Sequence, residues 1–250
     1  MSADDLARFD SLTYSDFRRM AVDKSLSTHE RVGFPDRYRE GKEKAIFSDV
    51  TAKLRPLQAQ GRTVLDIGPG CSGLPRLLID LCERQGHALV LVDSEEMLSQ
   101  LPDRPCVRKR PGQFPTEEPV QDLTGKADAV LVYSVLQYVF LEGNVWVFLD
   151  RLLELLAPGG ALLLGDIPNV SRRKRFFASE AGRRFHRAFM QSDDDPEVAF
   201  NVLEPRRIDD AVVLSLITRA RLAGFDAFVL PQHPDLPMAN RREDVLVTRP

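Results

Sequence analysis

Cysteine is scarce in this chain: Cys71, Cys82 and Cys106 are all it has in 250 residues. No C-x-x-C pair and no Cys/His cluster occurs, which excludes a disulfide framework, a thioredoxin-like redox pair and a zinc finger. Three scattered cysteines are expected as small buried side chains in a reducing compartment, so a cytoplasmic protein is the default. No apolar run approaches the ~20 residues of a membrane span. The opening MSADDLARFD is too acidic and polar for a secretory signal. Charge of neither sign dominates: 34 Lys/Arg against 37 Asp/Glu leave −3, which gives no global push toward nucleic acid or an anionic membrane. Internal repeats and low-complexity segments are absent as well.

What is present is an ordinary globular composition, 43% hydrophobic and 28% charged, with length enough for one α/β domain and appendages. Residues 1 to 35 read as an irregular or partly helical arm. From Asp36, a possible N-cap, DRYREGKEKAIFSDVTAKLRPL has Ile46, Val50, Leu54 and Leu57 at helical spacing, which predicts one helix. The rhythm then changes. RTVLDIG, HALVLVD, CVRKRPG, ADAVLVYS and ALLLGD are short apolar runs that predict five strands. Helical patterns separate them: SGLPRLLIDLCERQG closing at Gly86, SEEMLSQL, and NVWVFLDRLLELLAPGG stopped by Pro158-Gly159-Gly160. Strands apolar on both faces, alternating with helices, predict a doubly wound Rossmann-like parallel sheet. Residues 167 to 207 interrupt it with a basic, polar stretch. A capped helix, IDDAVVLSLITRARLAGF, and two strands, DAFVLP and DVLVTRP, complete the chain. The link between these strands is too short for a crossover, so the last strand is expected to enter antiparallel. The expected organisation is a helical arm (1–55), a Rossmann-like domain (56–166 and 208–250) and a helical insertion acting as a substrate lid (167–207).

VLDIGPGCSG contains a G-x-G-x-x-G between a strand and a helix, with Gly68 and Gly70 placed for a tight turn and close backbone approach to a ligand. Asp66, two residues before Gly68, would repel a pyrophosphate but suits a cationic or hydrogen-bond-donating ligand. Asp93 ends the second strand, where a carboxylate can accept both ribose hydroxyls of an adenosine cofactor.

These motifs, with LLAPGGALLLGD and the ending AGFDAFVLP…EDVLVTRP, resemble the class I S-adenosylmethionine-dependent methyltransferases over residues 60 to 166 and 208 to 250. The resemblance implies S-adenosylmethionine as cofactor, with the glycine loop passing its amino-acid part and Asp93, followed by Ser94, gripping the ribose. Gln113 stands where the family often places an acid that touches adenine. VYSVLQYV stands where many members carry a histidine-containing motif; Tyr133, Ser134 and Gln137 there read as the end of a buried strand pointing to the cleft. Ser134 is grouped with the cofactor and Gln137 with the substrate. Arg39, near Lys42, is a candidate partner for the cofactor's carboxylate.

For the base, Asp166 at the end of strand five leads, with Tyr133 and His186 as competitors. Asp166 and Asn169 are oxygen donors, but metal-dependent members of the family also carry an acid where Tyr133-Ser134 stands, so no metal site is expected. Between Ser171 and Met190 there are seven Lys/Arg against one Glu. Arg172 and Arg175 are therefore candidates to grip an anionic small molecule, such as a modified or nucleotide-linked sugar. A second resemblance, on YREGKEKAIF and DIPNVSRRKRFF, is to bacterial methyltransferases of surface-polysaccharide pathways. The family's amino-methylating Asp/Asn-Pro-Pro-Tyr/Phe motif is absent, which disfavours nucleic acid. Two alternatives stay open: an adenosine-cofactor enzyme on this fold that transfers no methyl group, and a non-catalytic cofactor-binding subunit. The sequence assigns neither the methylated atom, oxygen or nitrogen, nor an oligomeric state.

Overall fold

The structure, a computed structural model, describes residue 9 and residues 12–117 and 120–250. Residues 1–8, 10 and 11 of the expected arm lie outside them. Among the described residues, seven strands form one sheet: β1 (Thr63–Ile67), β2 (Ala88–Asp93), β3 (Val107–Pro111), β4 (Ala127–Tyr133), β5 (Leu156–Pro168), β6 (Asp226–Pro231) and β7 (Arg242–Thr248), in the order β3-β2-β1-β4-β5-β7-β6. The first five run parallel, and β7 lies antiparallel to both β5 and β6, as the short link before it predicts.

Alternation along the strands sorts the apolar runs into two cores. Val64, Leu89, Ala129 and Leu163 face α3 (Glu43–Lys53) and α4 (Gly73–Gln85), where Ile46, Val50, Leu78 and Ile79 are buried. Leu65, Val90, Val130 and Leu164 face α7 (Val145–Leu155) and α10 (Asp210–Leu222), where Leu149, Leu152, Val213 and Leu216 are buried. Two of the cysteines, Cys71 and Cys82, are buried, and Cys106 is half-buried. No helix among the described residues is long and apolar enough to cross a membrane.

Three sequence expectations are corrected. The helix expected from Asp36 is two: α2 (Asp36–Arg39) and α3, broken where Gly41 adopts φ +70°, a conformation that glycine supplies and helices do not. Asp36 caps nothing; the N-cap position is Pro35, and the Asp36 carboxylate instead takes Ser27 Oγ (2.7 Å) and His29 Nδ1 (2.8 Å). Second, α7 ends at Leu155, before the Pro-Gly-Gly turn, and β5 begins at Leu156. Pro158 keeps Ala157 out of the helical region, and Leu156 is already paired with Ala127 of β4. Third, the end of VYSVLQYV is helical: α6 (Leu136–Glu142) follows β4 after Ser134, which turns the chain at φ +61°. The remaining helices are α1 (Tyr14–Val22), α5 (Glu95–Leu98) and, in the basic stretch, α8 (Val170–Ala178) and α9 (Glu180–Met190).

Candidate active site

A cavity of about 500 Å³ opens at the carboxyl ends of β1, β2 and β4, where open α/β sheets bind ligands. Its wall includes Gly68, Gly70, Asp93, Gln113 and Ser134, five residues that the sequence singles out. Gly68 and Gly70 sit at φ +70° and +65°. A Cβ at Gly68 would lie 2.6 Å from Val135 Cγ2, and one at Gly70 2.7 Å from Val32 Cγ1. The turn is therefore built for glycine twice over, by backbone angle and by space. The other side is closed by Tyr14 and Phe17 of α1. This helix carries a Thr13/Asp16 capping box and is tied down by Arg18 on Glu96 (2.7 Å) and by Tyr14 N–H donating to Glu142 (3.0 Å).

The Asp93 carboxylate accepts from the N–H groups of Gly70 (3.0 Å) and Ser94 (2.7 Å), which aim it at the cavity. Burial pushes its pKa up to about 6 despite those bonds. Asp66, beneath the turn and not on the cavity wall, is pushed up to about 8 by burial and then by the charge of Asp93. Ser94 is a correction: its Oγ accepts from Met97 N–H (3.2 Å) as the N-cap of α5 and is buried away from the cavity.

Asp166 is not free to act as a base. Oδ2 accepts from Arg39 Nη2 (2.5 Å), Ser134 Oγ (2.5 Å) and Arg242 Nη1 (2.9 Å), and Oδ1 from Gln232 Nε2 (3.3 Å). Burial alone would raise its pKa, but Arg242, then Arg39, outweigh it and hold the carboxyl below its ordinary value. Its own N–H donates to Asp244 Oδ1 (2.8 Å), and Lys53 bonds the other oxygen of Asp244 (2.7 Å). Arg39 is buried in this network, with Ser134 Oγ as a second acceptor (2.7 Å), yet its Nε has no partner. A small cavity of about 70 Å³ adjoins it, walled by Gly68, Gly70, Ser134, Tyr133 and His29. Tyr133 is buried, and burial lifts its hydroxyl well above the ordinary range, with Asp166 adding to the effect. That is the wrong direction for a base. Asn169 is fully engaged too: its Oδ1 caps α8 and its Nδ2 donates to Glu243 and Asp210.

A second cavity, of about 460 Å³, lies beside the first and shares Tyr138 with it. Gln137 and His186 line it. Arg172 and Arg175 do not: Arg172 donates to the Ala239 carbonyl (3.2 Å), and Arg175 is paired with Asp210. The basic run is thus largely neutralised by residues from other elements. The cations lining the second cavity are Arg173 of that run and, from elsewhere, Arg206, Arg207, Arg241 and Arg242, and no Asp or Glu among the described residues lines it. Sequence reasoning missed Arg241 and Arg242. The one signal was a charged run, RRED, opening an otherwise apolar strand.

No family model and no curated protein matches the chain. Solved structures do. The plantazolicin methyltransferase BpumL, in complex with a triazolic desmethylPZN analog and SAH, superposes with a TM-score of 0.59 at 11% identity over 99% of each chain. A SAM-dependent methyltransferase from Aquifex aeolicus gives 0.52 at 13% identity, over 95% of this chain and 99% of that one. The CurJ carbon methyltransferase gives 0.54 at 16% identity, over 98% of this chain and 69% of that one. By this likeness the chain, a seven-stranded sheet with an antiparallel β7, has the fold of the S-adenosylmethionine-dependent methyltransferases.

Proposed function

We propose that the protein is an S-adenosylmethionine-dependent methyltransferase acting on a small anionic molecule. The observation that carries this reading is the opposite charge of two adjoining cavities. Among the described residues, Asp93 and Glu142 line the first with Arg151 as its one lining cation, while arginines and no carboxylates line the second. The first suits a sulfonium and an ammonium and is poor for a pyrophosphate. The second suits an anion.

The residues fit the cofactor. Gly68 and Gly70 leave backbone alone at the turn, Asp93 takes the ribose hydroxyls, and Gln113 meets the adenine edge. Arg39, with its unpaired Nε beside the turn, takes the carboxylate. When bound, S-adenosylmethionine supplies a methyl group already activated for in-line displacement, so alignment supplies much of the acceleration. Gln137 Nε2 donates to the Ser134 carbonyl (2.8 Å), leaving its Oε1 as a buried acceptor without a partner; it orients the acceptor's hydroxyl or amine. His186, on the wall of the second cavity, takes the displaced proton.

Calorimetry tests the cofactor: S-adenosylmethionine and S-adenosylhomocysteine bind and NAD does not, and tighter NAD binding overturns the reading. Turnover is tested with S-adenosylmethionine and a panel of nucleotide sugars and aromatic acids, read by mass for a gain of one methyl group. Binding without turnover on any of them leaves a cofactor-binding subunit instead.

A further inference from the structure

Six of the fourteen phenylalanines of the chain line the second cavity. The α8–α9 hairpin brings several together. A Cβ at Gly182 would lie 1.9 Å from the Phe176 carbonyl oxygen, so only glycine lets α9 fold back this closely on α8. Phe177 then meets Phe185 (6.4 Å between ring centres) and stands edge-on to His186 (5.9 Å). Phe185 stacks on Phe189, 5.9 Å apart and 12° from parallel.

Among the arginines of this wall, Arg241 is distinct. It is half-buried, its guanidinium lies 5.9 Å from the Phe177 ring, and no carboxylate among the described residues pairs with it. By contrast, Arg173 is paired with Glu204 and Arg242 with Asp166, and Arg206 and Arg207 are exposed. Burial, with Arg242 and Arg173 adding repulsion, pulls the pKa of Arg241 below its usual value. An anion beside it would reverse that penalty.

We propose that the second cavity binds an aromatic acid, its ring against Phe177 and Phe185 and its anionic group on Arg241. That this ligand is the methyl acceptor rests on the methyltransferase reading above; its chemistry does not. A cavity of about 460 Å³ suits one or two fused rings. Ring-on-ring contact adds to the area such a ligand buries. A sugar fits less well, since each hydroxyl set against phenyl rings would be buried without a partner.

The test is calorimetric, on the whole chain, with and without S-adenosylhomocysteine. The probes are 4-hydroxybenzoate, 4-hydroxycinnamate and 1-hydroxy-2-naphthoate, each beside its neutral carboxamide, and UDP-glucose as the sugar arm. The expected result is at least one acid binding about tenfold or more tighter than its amide, as one charge-assisted bond supplies. Arg241→Gln should abolish that preference without weakening S-adenosylhomocysteine, and Arg241→Lys should keep part of it. Phe177→Leu should weaken acid and amide alike. Circular dichroism confirms that each variant is folded. If no acid outbinds its amide, if Arg241→Gln leaves the preference intact, or if UDP-glucose alone binds, the proposal falls. Failure of S-adenosylhomocysteine to bind would instead remove the methyltransferase reading, while acid binding to the cofactor-free protein still decides this one.

Discussion

Arg39 and Asp166 meet across 127 residues of sequence, the guanidinium Nη2 donating to Oδ2 at 2.5 Å, and both side chains are buried. The pair joins the N-terminal helices to the end of β5 directly beneath Ser134. It makes Asp166 a structural anchor and fixes how each partner responds to substitution.

Asp166→Ala should destabilise the fold by about 3–5 kcal/mol, because removing one partner leaves Arg39 and Arg242 buried and uncompensated. Denaturant titration reads this. Since the folded carboxyl titrates below its ordinary value, its contribution is full above the unfolded pKa of about 3.9 and is lost as pH falls through the folded one. A variant of wild-type stability that cannot turn over would return Asp166 to the chemistry.

Asp66 and Asp93 behave in the opposite sense. Their carboxyls are raised to about 8 and about 6, so the stability they confer is present below about pH 4 and lost as pH rises through 6 and then 8. A cationic cofactor favours their ionised forms. Its affinity should rise over the same window, and binding near pH 7 should release protons, seen as a buffer-dependent heat. A pH-independent dissociation constant from 5 to 8 would contradict this. Asp93→Ala should weaken cofactor binding roughly tenfold to a few hundredfold through lost ribose contacts.

His29 bridges Asp36, the first residue of α2, and Glu43, the first of α3. Burial lowers its pKa, but bonding to Glu43 and Asp36 outweighs this and raises it. Its clamp is therefore full below pH 6.5 and weakens as pH rises through the higher folded value. His29→Gln should remove that part of the pH dependence of melting and loosen the cofactor more at pH 6 than at pH 8.

Arg175→Ala and Arg172→Ala should leave the acceptor KM within about twofold of wild type, since neither lines the second cavity. For Arg175, whose pair with Asp210 is exposed, the stability cost should be within about 1 kcal/mol. A tenfold rise in KM in either variant would restore the basic run as a substrate grip.

The glycine turn and Asp93 were legible because local backbone demands wrote them: positive φ at Gly68 and Gly70 admits little else, and a strand's end fixes where its last carboxylate stands. The antiparallel β7 was legible from the length of a link. Arg172 and Arg175 misled because a run of charge says nothing of the carboxylate or carbonyl that another element will bring to it. Arg242 and Asp244 went unseen for the same reason, since their partners lie far away in sequence. Gln137 was misplaced because an eight-residue apolar stretch suits a strand or a helix equally.

The position of β7 also sets an order of assembly. It fills the gap between β5 and β6, so the sheet has no closed core on that side until residues 242 to 248 are in place. Asp244 joins Asp166 across 78 residues, a contact whose loop-closure cost must be met before it gives anything back. During synthesis the glycine turn and Asp93 emerge early, yet the anchor beneath Ser134 waits for Arg242. A nascent chain halted before Arg242 should bind cofactor weakly, and refolding should show its slowest phase in the recovery of binding rather than of helix content.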